Sequence, residues 1–155
     1  MESAQLYFED FKPGDRTQCP SKTVTDAHFL FFAGLTGDSH PIHYDTEYAK
    51  GTRFGARVTH GLLLTAMTAL GASPLSSRLE ASMIAFVEQS SRFLAPVLIG
   101  DTISPTLEVI RLERKGEKGL VTFKCTITNQ RGVTVLEGHH TYLVKCREPR
   151  AGDNR

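Results

Sequence analysis

The second half of this chain is written in period two. Met83, Ala85 and Val87 alternate with Ile84, Phe86 and Glu88, and that segment continues to Phe93. Leu107, Val109 and Arg111 oppose Glu108, Ile110 and Leu112. Val121, Phe123, Cys125 and Ile127 alternate with Thr122, Lys124, Thr126 and Thr128. Val133 to Val144 is the fourth such run, with Gly138 as a candidate bulge. Successive strand side chains point to opposite faces, so these runs predict four long strands, each with one buried face. The turns Arg114-Lys115-Gly116-Glu117 and Asn129-Gln130-Arg131-Gly132 suit antiparallel hairpins.

The first half reads differently. Phe8, Phe11 and a Pro13-Gly14-Asp15 turn signal lead into an expected strand from about Thr17 to Val24. Thr25-Asp26 supplies a hydroxyl cap and an acidic first turn for a helix through Ala27, Phe31, Ala33 and Leu35, which Gly37 should end. The stretch GDSHPIHYD is too rich in polar and breaker residues for regular structure, and Thr52 to Val58 reads as irregular. A second helix is expected from Gly61 to roughly Leu75. It is apolar nearly all round, as a buried helix is. Strand, helix, loop, buried helix and four antiparallel strands make an α+β chain with one apolar helix for a sheet to wrap.

Composition narrows the classes of function. A chain of 155 residues supports one domain, expected over residues 1–146, with the polar, aperiodic Arg147 to Arg155 as a disordered tail. Eighteen Lys+Arg against seventeen Asp+Glu leave a net charge of +1, which argues against nucleic acid as the main partner. No apolar run approaches the length of a membrane span, and the N-terminal MESAQLYFEDF is acidic where a signal peptide needs positive charge. Cys19, Cys125 and Cys146 are odd in number and far apart, with no CxxC pair. They read as reduced thiols of a cytoplasmic protein.

One stretch stands out chemically: Gly37-Asp38-Ser39-His40-Pro41-Ile42-His43. Pro41 restricts its own φ and biases His40 toward an extended conformation, so the loop is stiff. Asp38 and His43 can then converge on one point, where two proton acceptors fix and activate a water molecule. On the residues alone, Asp38 as a turn cap and His43 as an ordinary hydrogen-bonded histidine read as well. A metal site built from Asp38, His40 and His43, completed by His139 or His140, is a further alternative that no spacing motif supports. The second feature is Thr59-His60-Gly61 at the start of the apolar helix. A helix N-terminus presents unpaired N–H groups, and a glycine there lets a substrate carbonyl approach them, as in an oxyanion hole. Relief of crowding against the sheet explains the same glycine.

Taken together and in this order, the two features resemble a family. LTG-DSHPIH, with His60-Gly61-Leu62-Leu63-Leu64 beginning seventeen positions after His43, is similar to the MaoC-like, (R)-specific enoyl-CoA hydratases, which have the hot-dog fold. The segment RFLAPVLIGDTI, Arg92 to Ile103, resembles their F-x-x-P-V-x-x-G-D stretch. The family has Asn where this chain has His40.

The resemblance implies a single hot-dog unit, an antiparallel sheet wrapped around a central helix. Asp38 and His43 would be the catalytic pair and the Gly61 N–H the thioester-oxygen site. Together they would add water across a trans-2-enoyl thioester, or remove it from an (R)-3-hydroxyacyl thioester, with neither metal nor organic cofactor. His40, His60, Arg53 and Arg92 are candidate substrate-binding residues, with Arg57 and Lys50 as weaker candidates for the phosphates. Phe29, Phe31 and Phe32 read as core. The substrate is expected to be an acyl-CoA, or an acyl group on acyl-carrier protein, and the exposed sheet edge is expected to pair with a second copy. Thioester hydrolysis and non-catalytic acyl-CoA binding are the alternatives that the same fold would host.

Overall fold

The computed structural model describes residues 4–147. The four alternating runs form four long strands: β3 (Met83–Phe93), β4 (Thr102–Lys115), β5 (Lys118–Asn129) and β6 (Thr134–Lys145). They assemble in the order β4-β5-β6-β3, all antiparallel, so β3 pairs with β6 rather than with its sequence neighbour β4 and forms one edge. The other edge is made by two short strands, β1 (Arg16–Gln18) and β2 (Lys22–Thr23), both paired with β4. The sequence predicts one strand over Thr17 to Val24. The structure divides it because Pro20 has no N–H to give the ladder.

The antiparallel alternation holds where the sequence places it. On β5, Val121, Phe123, Cys125 and Ile127 are buried while Lys124, Thr126 and Thr128 are half-buried on the other face. Gly116 at φ 67° and Gly132 at φ 75° make the two hairpin turns, a left-handed conformation that favours glycine. Gly138 is not a bulge: its register to Ser91 and to Cys125 is regular. A Cβ there would lie 2.0 Å from the Ser90 carbonyl oxygen, so the glycine lets β3 and β6 approach closely.

The first helix, α1 (Asp26–Thr36), runs between Thr25 and Gly37, which sits at φ 76° as a left-handed cap. Phe29 is buried and Phe32 packs against the core, but Phe31 is 81% exposed, against the core role expected of it. The polar loop after Gly37 is more ordered than its composition suggests. It holds two short helices, α2 (Pro41–Tyr44) and α3 (Thr46–Lys50). Pro41 is pre-set for the first helical position, and Asp45 caps α3 through the Tyr48 N–H at 2.9 Å.

The long apolar helix expected from Gly61 to Leu75 is also divided. α4 (Gly61–Ala66) ends early and is followed by a 3-10 turn at Leu70–Ala72 and by α5 (Leu75–Arg78). The Thr68 hydroxyl takes the Thr65 carbonyl at 2.6 Å, and Pro74 forces Ser73 out of the helical region to φ −106°, ψ 162°. Leu63, Leu64 and Met67 of this segment are buried beside Ile103, Ile127 and Leu136 of the sheet, so a sheet does wrap it. Leu62 points the other way and is 69% exposed.

The three cysteines are free and buried, and burial pushes the Cys125 thiol up to about 12, where it packs as a small hydrophobe. Arg147, the first residue of the expected tail, is held: its N–H donates to Glu9 at 2.8 Å and its guanidinium pairs with Asp10. The rest of that expectation, 148–155, lies outside the described residues. No helix among the described residues is long and apolar enough to cross a membrane.

Candidate active site

The site is assembled by one irregular segment. Arg57–Thr59 lies alongside Val97–Ile99, tied by Thr59 N–H to Val97 O at 2.7 Å, Ile99 N–H to Arg57 O at 2.9 Å and a bridge between Val58 and Leu98. Asp101 anchors the second of these stretches. Burial raises its carboxyl, but hydrogen bonds from Gln130 at 2.6 Å, from the Leu98 N–H and from Arg131 outweigh that, and its pKa is held below the usual carboxylate value.

With that segment fixed, the Val58 carbonyl meets His43 Nδ1 at 2.6 Å. A carbonyl can only accept, so Nδ1 carries the proton and the neutral ring has its free lone pair at Nε2. Behind His43 lies His60, its ring stacked at 3.7 Å between centroids and 21° between planes. Tyr44 ties this group to the loop. Its hydroxyl lies 2.8 Å from the Asp38 carbonyl, 3.2 Å from the Phe29 carbonyl and 2.9 Å from His60 Nε2. Having one proton and two carbonyl acceptors, the hydroxyl gives its proton to a carbonyl and receives one from His60 Nε2–H.

Burial first, and the neighbouring His43 second, lower the pKa of His60, while the Asp38 charge and carbonyl oppose them. The net effect favours a neutral ring. Tyr44 is pushed up, by burial and then by Asp38, and stays a phenol. One side-chain atom from each of Asp38, His43 and His60 falls within 4.8 Å of the others. Asp38 itself is exposed, with Oδ1 accepting the His40 N–H at 3.3 Å.

The predicted residues separate clearly. Asp38 and His43 come together. His40 stands beside them and caps α2, its Nδ1 accepting the Ile42 N–H at 3.2 Å, a role in which Asn is equally at home. Gly61 and Arg53 line a pocket of about 300 Å³ with Phe54, Leu64, Phe93 and Val97, adjoining the segment that holds His43. Phe93 covers Gly61 closely enough that a Cβ there would meet its ring at 3.0 Å.

Two of the candidates are placed differently from the rest. His60 is 3% exposed, its ring stacked on that of His43. Arg92 is 78% exposed at its side chain, with Glu137 at 3.9 Å. Its neighbours Ser91 and Phe93 face Thr65 and Gly61, so alternation turns Arg92 to the opposite face. Arg57 pairs with Asp26 at 2.7 Å and Lys50 with Glu47. A larger cleft of about 1010 Å³, lined by Arg114, Lys118, Lys145 and Arg147 among others, lies at the far end of the sheet and contains none of the candidate residues.

The alternative set of Asp38, His40 and His43 does not form among the described residues; His60 takes the place of His40 in the cluster. His139 lies by Ser90, and His140 is bonded to Thr68 and Tyr142 instead. An imidazole binds a metal along its in-plane lone pair at about 2.0–2.1 Å. Two rings stacked face to face, centroids 3.7 Å apart, hold those lone pairs in two near-parallel planes, so one ion would lie out of at least one ring plane, and His43 and His60 do not fit one ion as they stand.

Tyr44 and the Val58 carbonyl are the site components that the sequence reading does not single out. Tyr44 directly follows His43, but nothing in its spacing marks a hydroxyl that joins two chain segments.

The comparisons with known proteins agree with this architecture. Residues 10–130 match the family model for the MaoC like domain. The chain is 38% identical over 141 residues to an (R)-specific enoyl-CoA hydratase of Rhodospirillum rubrum, covering 91% of this chain and 93% of that one. Among solved structures, a monoamine oxidase regulatory protein from Archaeoglobus fulgius superposes with a TM-score of 0.86 at 36% identity, covering 95% and 99% of the two chains. The (R)-hydratase from A. caviae involved in PHA biosynthesis gives 0.75 at 28% identity, covering 90% and 99%. On the family match, the identity and the shared hot-dog architecture, the chain belongs to the MaoC-like dehydratase family.

Proposed function

We propose that this protein is a lyase that reversibly hydrates a trans-2-enoyl thioester, carried on CoA or acyl-carrier protein, to the (R)-3-hydroxyacyl thioester. The observation that carries this reading is the convergence of Asp38 and His43, with the His43 tautomer fixed by Val58. Relatives named for this chemistry support it.

The steps follow from the geometry. Asp38 and His43 hold a water. As its oxygen bonds to C3, His43 Nε2 accepts one of its protons, and the electron pair of the double bond moves toward the thioester oxygen. The first N–H groups of α4 have no intrahelical partner, and that of Gly61 receives the oxygen as negative charge develops. Return of that proton from His43 to C2, as the electron pair moves back from the thioester oxygen, completes the addition and restores both residues. No metal or organic cofactor takes part. The 300 Å³ pocket beside Gly61 suits the apolar part of the substrate, and Arg53 at its rim suits a phosphate. The Arg53 guanidinium lies over the Phe54 ring, 4.7 Å from its centroid.

The working form is a homodimer. Edge strand β3 exposes Ile84, Phe86, Val87 and Phe93, an apolar edge that a second β3 would cover by antiparallel pairing.

The test is incubation with crotonyl-CoA and longer trans-2-enoyl-CoAs, following loss of the conjugated thioester absorbance and the chirality of the product. Hydration to the (R)-alcohol without release of free thiol is the expected result. Thiol release with no hydration would replace this reading with a thioesterase.

A further inference from the structure

His60 is a polar ring in an apolar setting. It is 3% exposed, packed edge-on to Phe29 at 5.4 Å and tilted against Phe32 at 4.7 Å between ring centroids. Its Nδ1 has no hydrogen-bond partner among the described residues, consistent with the proton residing on Nε2. Burying an unpaired polar atom costs free energy that an apolar side chain of similar size would not. Core filling therefore does not account for this residue.

Among the described residues, the other ring and side-chain hydrogen-bond contacts of its imidazole are to the catalytic loop. One face of the ring lies against His43, and its Nε2–H reaches the Asp38 carbonyl through the Tyr44 hydroxyl. A single buried ring thus touches the plane of one member of the pair and, through one hydroxyl, the backbone of the other. His43 has a second restraint at Nδ1, the Val58 carbonyl. A hydrogen bond at one ring atom leaves the imidazole free to swing about that bond, and a flat surface against the ring face removes that freedom.

We propose that His60 is a positioning residue: its buried ring, tethered through the Tyr44 hydroxyl to the Asp38 backbone, is the plate that fixes the plane of the His43 imidazole. The proposal rests on the hydratase reading above for what His43 does, but not for where His43 is held. The groups against His60 are His43 and Tyr44 from α2, Asp38 from the loop before it, and only Phe29 and Phe32 from α1. Since burial and His43 both favour the neutral form of His60, the plate adds no positive charge beneath His43 when His43 takes a proton.

The test compares His60→Phe, which keeps a flat ring, with His60→Ala, which removes it, and with Tyr44→Phe, which cuts the tether. Two readouts are taken. The first is kcat and KM for enoyl-CoA hydration across pH. The second is the proton NMR signal of His43 Nδ1–H, slowed in exchange by its bond to Val58 and visible in the free protein without turnover. His60→Ala is expected to lower kcat about 100-fold, the scale of a 1 Å misplacement, with KM little changed, and to lose the proton signal. His60→Phe keeps the plate but, lacking Nε2–H, loses the tether, so it is expected to match Tyr44→Phe: a kcat between that of His60→Ala and wild type, with the signal broadened rather than lost.

A folded His60→Ala with wild-type kcat and an intact signal would overturn the proposal, as would a His60→Phe as impaired as His60→Ala. Should His60→Ala not fold, Tyr44→Phe decides. A lower kcat at unchanged KM, a displaced acid limb of the kcat/KM profile and a broadened signal support the tether; wild-type values in all three overturn it. A wild-type protein that hydrates no enoyl thioester refutes the hydratase reading instead, and the NMR comparison then tests the plate alone.

Discussion

The imidazoles of His43 and His60 lie face to face, 3.7 Å between centroids and within 21° of parallel, and one nitrogen of each falls within 4.8 Å of the exposed carboxylate of Asp38. This stacking bears on two chemistries that the same residue types allow. Lone pairs held in two near-parallel planes do not both meet one ion in-plane, whereas a single free Nε2 on a fixed ring can exchange a proton with water. Exhaustive dialysis against a chelator is therefore expected to leave hydration activity unchanged. Loss of activity on chelation, restored by a divalent cation, would mean that these rings separate to bind metal.

Gly61 has a packing contact and a proposed oxyanion role that a substitution should separate. A Cβ there would press on the tip of the Phe93 ring, which is half exposed and able to yield, so Gly61→Ala should change the melting temperature only slightly. The added methyl also stands where a carbonyl would approach the Gly61 N–H. Loss of one oxyanion donor costs about 100- to 1000-fold in kcat. Paired melting curves and steady-state kinetics check this: a stable, inactive variant supports the oxyanion role, and a stable, fully active one removes Gly61 from the mechanism.

His140 sets a pH dependence of stability. It is buried between Thr68 at 3.1 Å and the Tyr142 hydroxyl at 3.2 Å, and burial lowers its pKa below the ordinary 6.5. As pH falls through 6.5 the unfolded chain binds a proton that the folded chain resists. Stability present above that value is lost progressively toward the lower folded value. His60 acts with the same sign. The melting temperature should fall between pH 7.5 and 5.5, and His140→Gln, which cannot titrate, should show a smaller fall. An equal fall in both proteins would assign the effect elsewhere.

Much of the fold is legible in the sequence because half-buried antiparallel strands write their geometry directly into residue alternation. Cys125 among valine, phenylalanine and isoleucine is readable for that reason. Elements whose limits depend on a single residue are harder. Pro20 divides a strand and Pro74 ends a helix, while Pro41 and Asp45 start helices inside a stretch that composition marks as loop. Gly138 looks like a bulge because its reason, the close approach of Ser90 on another strand, is not local. At the site, spacing and resemblance identify Asp38, His43 and Gly61. The burial of His60, the outward turn of Arg92 and the junction made by Tyr44 depend on which segments meet, and no local pattern encodes that.

The central claim is that Asp38 and His43 together activate the water that adds to the enoyl thioester. It is tested most directly by the steady-state hydration rate of Asp38→Asn. Asp38 is exposed and its carboxylate makes only a 3.3 Å contact within its own loop, so the fold should persist. Asparagine keeps the shape and removes the charge that, with His43, holds and polarises the water. A fall in kcat of about 100-fold or more, the scale of general acid–base catalysis, with an unchanged melting temperature is the expected result. A folded Asp38→Asn that hydrates crotonyl-CoA at the wild-type rate would contradict the account.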